Sequence, residues 1–337
     1  MKRILLAALV GTAPVVALHS QTSGEVIIDR VQQTTPPPAP ASGTPAPTSG
    51  EQGDLDGGVQ RIAQERKLPF RLILAYDIQA YYSSNVFLSE ADEVDAVILA
   101  NTLQARAEFN SFTLGQSLVT PSAGLVYQRY NHDFFSDDPA RETLDFDAYS
   151  LPLGLRFRFG DNWEVNLGVT GTVVYSLEGP PSYNLTYQSI TTSLSARKLI
   201  YIGNNQLFTF GGGFSFAKTD ADVPAAPFGY RSDRNDKIDT SLDIGYYYVK
   251  DRWVFGSYAR VVHSEFDHYQ EAGFTDVDRR DITFSLGVST TYNINKWAVA
   301  RAFTGTDWRA PQADNPGKIY TYQNTNLGLG LSLTTSF

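Results

Sequence analysis

The sequence has no cysteine and a single methionine in 337 residues. No disulfide framework and no thiolate metal site is therefore available, whatever the compartment. Histidine is scarce as well, with four in the chain. His19 belongs to the opening apolar run, which leaves His132, His263 and His268 for any imidazole chemistry. Basic residues are the minority, 27 against 36 acidic ones, for a formal charge of −9. That balance argues against nucleic acid as a partner, because the phosphate backbone is bound by clustered Lys and Arg. Beyond the first 18 residues no apolar run approaches the roughly 20 residues that a spanning helix needs. If the mature chain crosses a bilayer, it must do so as a closed barrel of strands, the other architecture that pairs every backbone polar group.

What is present starts with "MKRILLAALVGTAPVVALHSQ", in which Lys2 and Arg3 precede an apolar run from Ile4 to Leu18 and then small or polar residues. This is the layout of a secretory signal peptide, assigned to residues 1–20. An uncleaved anchor is the competing reading, and the shortness of the run and Pro14 weigh against it. Loss of Lys2 and Arg3 with the leader takes the formal charge from −9 to −11. Residues 21–56 are rich in Pro, Ala, Ser and Gly, and such a composition cannot bury enough apolar surface to fold. They read as an extended, disordered arm. Residues 57–69 are a short helix, Val59 to Lys67, or the end of the linker; a peptide this short is marginal as an isolated helix.

From Phe70 the pattern changes to alternation. The chain ends "NTNLGLGLSLTTSF", which sets Leu327, Leu329, Leu331, Leu333 and Phe337 on one face against Gly328, Gly330, Ser332, Thr334 and Ser336 on the other. "SLPLGLRFRF", "LFTFGGGFSFA" and "DITFSLGVSTTY" repeat the arrangement. Large apolar side chains opposite small or bare polar ones suit a strand whose greasy face meets lipid. A soluble sandwich would show long polar groups to water and shorter strands. Twelve strands are expected, near 70–82, 96–109, 117–130, 145–159, 163–176, 186–201, 206–217, 237–249, 252–264, 281–293, 297–304 and 322–337. Short turns such as "FGDN", "GNN", "KD" and "NINK" alternate with long acidic loops. The fold class is all-β, a transmembrane antiparallel up-and-down barrel over 70–337.

Trp163, Trp253 and Trp297 each follow a short turn and share the apolar parity, so they mark an aromatic girdle at the turn end. Tyr82, Tyr127, Tyr149 and Tyr175 would form the opposite one. The leader, the twelve alternating strands and the terminal Phe337 resemble a bacterial outer-membrane β-barrel, and "YYSSNVFLSEADEVDAVILANTLQARAEF" resembles the opening hairpin of β-barrel porin families. The resemblance implies an outer-membrane location among lipids and lipopolysaccharide. It also implies insertion by the barrel-assembly machinery, which would read Leu331, Leu333 and Phe337 as its signal.

The expected functional surface is the lumen. By parity the inward ionisable groups are Arg71, Asp77, Arg106, Glu108, Arg156, Arg158, Glu164, Arg197, Asp239, Asp243 and Arg260. Arg71, Arg106, Arg156, Arg158 and Arg197 fall near the turn end, where they form either an anion-favouring constriction or a closed ion-pair network with Glu108 and Glu164. Arg301 falls on the apolar face by the same counting, so either the register there is off or the guanidinium snorkels. The acidic clusters Glu90, Asp92, Glu93, Asp95 and Asp133, Asp137, Asp138, Glu142 read as solvated surface rather than a cation site. No cofactor, no metal and no enzyme activity is expected: His263 and Ser264 are adjacent and so point to opposite faces. The function expected is a porin-like channel, single or self-associating, that passes small hydrophilic solutes. The alternative is a structural or assembly barrel that anchors the Pro-rich arm for an envelope partner, including one in polysaccharide export.

Overall fold

The computed structural model describes residues 69–337 apart from 89–92, 133–143, 178–183, 204, 222–231, 268–277 and 314–320. The leader, the linker and nearly all of the 57–69 segment lie outside the described residues, as do Glu90, Asp92, His268 and the acidic cluster at Asp133 to Glu142. The described strands are β1 (Phe70–Ser83), β2 (Ala96–Phe109), β3 (Phe112–Leu114), β4 (Ser117–Asn131), β5 (Phe146–Phe159), β6 (Trp163–Ser176) and β7 (Asn184–Ile202). They continue with β8 (Gln206–Ala221), β9 (Lys237–Lys250), β10 (Trp253–Phe266), β11 (Arg279–Asn293), β12 (Ala298–Ala313) and β13 (Tyr322–Ser336). Each long strand pairs antiparallel with its neighbours, β1 pairs with β13, and β2 pairs with β4. The result is a closed barrel of twelve strands, with the three-residue β3 folded back on β4 inside one turn. Closure is completed by the last residue: Leu72 N–H donates to Phe337 O at 3.1 Å and Phe337 N–H donates to Leu72 O at 2.9 Å.

The tight turns are built on residues that accept left-handed backbone, Asn162 (φ 61°), Asp251 (φ 54°), Gly115 (φ 61°) and Gly203 (φ 65°). They lie together at one end, with the longer loops at the other. The outward face is apolar and open, as at Leu327 (60% exposed), Leu329 (66%) and Leu103 (54%). Outward charges on the described strands keep to the rims: Lys198 and Lys250 near the turns, and Arg129, Asp147, Lys218, Asp220, His263, Glu265 and Arg280 near the loops. A belt without charge between two polar rims is what a bilayer demands of a barrel exterior.

Aromatics mark both rims. Lys198 Nζ stands 5.4 Å over the Trp163 ring, and Trp253 packs against Tyr292 at 4.7 Å. At the loop end Tyr127, Tyr149 and Tyr175 form a chain of rings 5.1 and 6.2 Å apart. Trp308, stacked on Phe284 at 5.6 Å, belongs to the outward face as well.

The expected register fails in one strand. β12 runs Ala298–Ala313 rather than 297–304, and Trp297 closes the preceding turn instead of opening the strand. Arg301 pairs with Gly330, a lumen position, so it faces inward. "TDWRAPQ" reads as loop because of its Asp and Pro, yet Pro311 is tolerated in the strand. It lies beyond Arg309–Tyr322, the last pair with β13, so its missing N–H deprives no partner there.

Candidate functional site

All eleven inward ionisable groups expected from parity stand on the lumen face, since their registers pair them with one another or with small inward residues. Near the turn end Glu108 takes two arginines, Arg106 at 3.0 Å and Arg156 at 3.6 Å. Arg158 Nε donates to Glu164 at 2.9 Å. Arg197 reaches Asp243 at 3.3 Å across β8. That reach depends on Gly211, where a Cβ would stand 3.0 Å from the Asp243 carboxylate. Arg71 donates to Ser336 Oγ at 3.0 Å and Arg260 lies opposite Asp243. Arg106 and Glu108 stand at the end of β2, Arg156 and Arg158 at the end of β5, and Arg71 and Glu164 at the starts of β1 and β6; the antiparallel registers align Arg71 with Glu108, and Glu164 with both Arg158 and Arg197. Arginines outnumber carboxylates in this zone, so the ion pairs do not neutralise it.

Mid-lumen, two tyrosines lie flat against the wall. Tyr258 sits over Gly287, where a Cβ would overlap the ring, and its hydroxyl would lie 3.5 Å from a Cβ at Gly305. Tyr247 covers Gly256, whose Cβ would be 3.2 Å from the ring. Glycine at these inward positions therefore makes recesses for rings rather than open bore. Arg301 approaches Asp77 at 3.7 Å, and Asp77 also accepts from the Ser332 hydroxyl and the Gln79 amide.

Among the described residues, those at the loop end are closely packed. On one flank inward Tyr81, Ile98, Tyr130, Phe146, Val174 and Tyr187 form an apolar cluster with Val86 and Leu144 from the loops. The Ser83–Asn85 turn is tied across the seam, with Ser83 Oγ donating to Asn324 Oδ1 at 2.9 Å and Asn85 N–H to the same oxygen at 3.1 Å. On the other flank Arg279 donates twice to Asp281, at 3.0 and 2.5 Å, with Arg309 3.9 Å from the same carboxylate. Lys237 stands 3.3 Å from Asp239, which also accepts from Ser264 at 2.5 Å. His263 faces outward, away from Ser264.

Sequence reasoning missed Lys237, Arg279, Asp281, Arg301, Asp307 and Arg309 as lumen groups. The signal was available in part. Lys237/Asp239 and Arg279/Asp281 are opposite charges two residues apart, hence on one face; Lys237 and Asp281 lie within the expected strands 237–249 and 281–293, and only Arg279 falls beyond the expected end.

No protein-family model matches the chain, and no curated protein matches it. Among solved structures it is similar to an outer-membrane channel from Pseudomonas putida F1, at TM-score 0.47 and 14% identity over 84% of this chain and 100% of that one. It is similar to the translocator domain of the autotransporter NalP from Neisseria meningitidis, at 0.41 and 12% over 80% and 90%. It is also similar to the NanC porin, at 0.40 and 11% over 77% and 98%. At these values the likenesses assign no activity.

Proposed function

We propose that the chain is an outer-membrane channel of the porin kind, for passive diffusion of small hydrophilic solutes with a modest preference for anions. The observation that carries this reading is the turn-end half of the lumen. There Arg71, Arg106, Arg156, Arg158, Arg197 and Arg260 face three carboxylates, Glu108, Glu164 and Asp243, inside a barrel whose outside is charge-free between its rims. A water-lined positive zone within low-dielectric walls raises the local anion concentration. Outer-membrane lipids and lipopolysaccharide surround the barrel, and the assembly machinery reads the outward Leu331, Leu333 and Phe337. In this reading the Ser83–Leu88 segment, whose Val86 belongs to the apolar cluster, is the element whose loosening widens the loop end.

The buried loop end favours a second reading, a closed barrel that anchors the Pro-rich arm for an envelope partner. Planar-bilayer recording with the refolded mature protein separates the two. Discrete conductance steps with anion selectivity support the channel; a silent bilayer with correctly folded protein refutes it and leaves the anchor.

A further inference from the structure

The outward wall is not smooth between β4 and β8. Register sets Leu151, Gly171, Ile190 and Lys218 side by side across β5 to β8. Gly171 has no side chain, and a Cβ built there would meet nothing within 4 Å. Its neighbours Leu151 and Ile190 are large and stand 55% and 61% exposed. The outcome is a groove of about 540 Å³ on the lipid-facing surface, which begins beneath Tyr149 of the loop-end girdle. A volume of this order is typical of small-ligand sites. Its walls are apolar except at the β8 end, where Lys218, Asp220 and Gln188 meet. The Lys218 side chain is 65% exposed and its ammonium stands 3.6 Å from one carboxylate oxygen of Asp236, which leaves further N–H donors. Gln188 donates to Asp220 at 3.0 Å, and both retain free acceptor capacity.

We propose that this groove holds one molecule of a phosphorylated, acylated sugar lipid, the lipid A portion of lipopolysaccharide. One acyl chain lies over Gly171 between Leu151 and Ile190, a phosphate accepts from Lys218, and sugar hydroxyls donate to Asp220 and Gln188. The shape selects an amphipath, because an apolar trough in a bilayer with polar groups at one end matches a tail with its headgroup at the boundary. The rim selects the headgroup. A bare phosphate would face Asp220 as well as Lys218, whereas a head that carries both phosphate and hydroxyl donors satisfies both. The assignment rests on the outer-membrane reading, with the loops turned to the glycolipid leaflet.

The test uses the full mature protein, refolded in detergent and given lipid A or phosphatidylethanolamine at equal concentration, with bound lipid counted by native mass spectrometry. Wild type should retain one lipid A and much less phosphatidylethanolamine. Gly171→Trp, which fills the trough, and Lys218→Gln, an exposed change that leaves the fold alone, should each lower lipid A retention at least about tenfold. Equal retention by both variants, equal retention of the two lipids by wild type, or a folded wild-type barrel with no lipid bound would overturn the proposal. Absence of wild type from outer membranes would instead refute the location on which it rests.

Discussion

Replacing Arg156 and Arg158 by Glu is the sharpest probe of the lumen. In the turn-end zone six arginines, Arg260 opposite Asp243 among them, face three carboxylates, Glu108, Glu164 and Asp243; the double replacement turns six against three into four against five. A unit charge about 4 Å from a passing ion is worth roughly 1 kcal/mol in water and about 4 at an effective dielectric of 20. Even the lower figure, with four units of charge changed and partial screening, supplies about a tenfold change in the anion-to-cation permeability ratio. The reversal potential in a salt gradient should therefore cross to the cation side. The crossing should be large near 0.1 M salt, where the screening length is about 10 Å, and small at 1 M, where it is about 3 Å. New carboxylates beside Glu108 and Glu164 lose the pairs at 3.6 and 2.9 Å, so Arg156→Gln with Arg158→Gln is the control. It should fall between wild type and the double Glu variant. An open, folded channel whose reversal potential does not move would place these arginines outside the ion path and refute the selectivity argument.

Other outcomes follow from the same geometry. Gly287→Ala puts a methyl against the Tyr258 ring, with Cζ at 2.7 Å, about 1 Å inside optimal contact; denaturant titration should show a loss of about 1–3 kcal/mol. In a Tyr258→Ala background that loss should largely vanish, and an undiminished penalty there would disprove the recess. Asn324→Ala removes the acceptor shared by Ser83 Oγ and Asn85 N–H, so the Ser83–Leu88 segment should loosen and single-channel conductance should rise; unchanged conductance would show that this segment does not gate the lumen. Deletion of Phe337 removes the last backbone pair with Leu72, and Leu331→Asp with Leu333→Asp puts charge on the lipid face at a cost of up to a few kcal/mol. Both should reduce the outer-membrane amount, read on immunoblots of membrane fractions, and normal levels would show that the last strand has been misread. Unboiled protein should migrate anomalously on gels and convert on heating, because every wall strand is paired on both edges; a single heat-independent band would count against closure.

Much of this architecture was legible without coordinates, and for a definite reason. A strand that meets lipid on one face and the lumen on the other must write that difference into every second residue, so twelve strands, their alternation and the inward set from Arg71 to Arg260 all stand in the one-dimensional pattern. Leu327, Leu329, Leu331 and Leu333 face outward as their bare Gly and Ser neighbours imply. Parity is local, however, and it broke where local signals conflicted. Parity counted outward from Trp297 sets Arg301 against lipid, but Trp297 belongs to the turn and Arg301 faces Asp77; Asp307, Trp308, Arg309 and Pro311 read as loop and continue the strand. Tertiary structure alone decided what spans non-adjacent strands: the pairing of Arg197 with Asp243 across Gly211, the rings laid over Gly287 and Gly256, and the packed loop end held through Asn324. Such contacts depend on the stagger between strands far apart in the chain, and no periodicity within a single strand encodes that stagger.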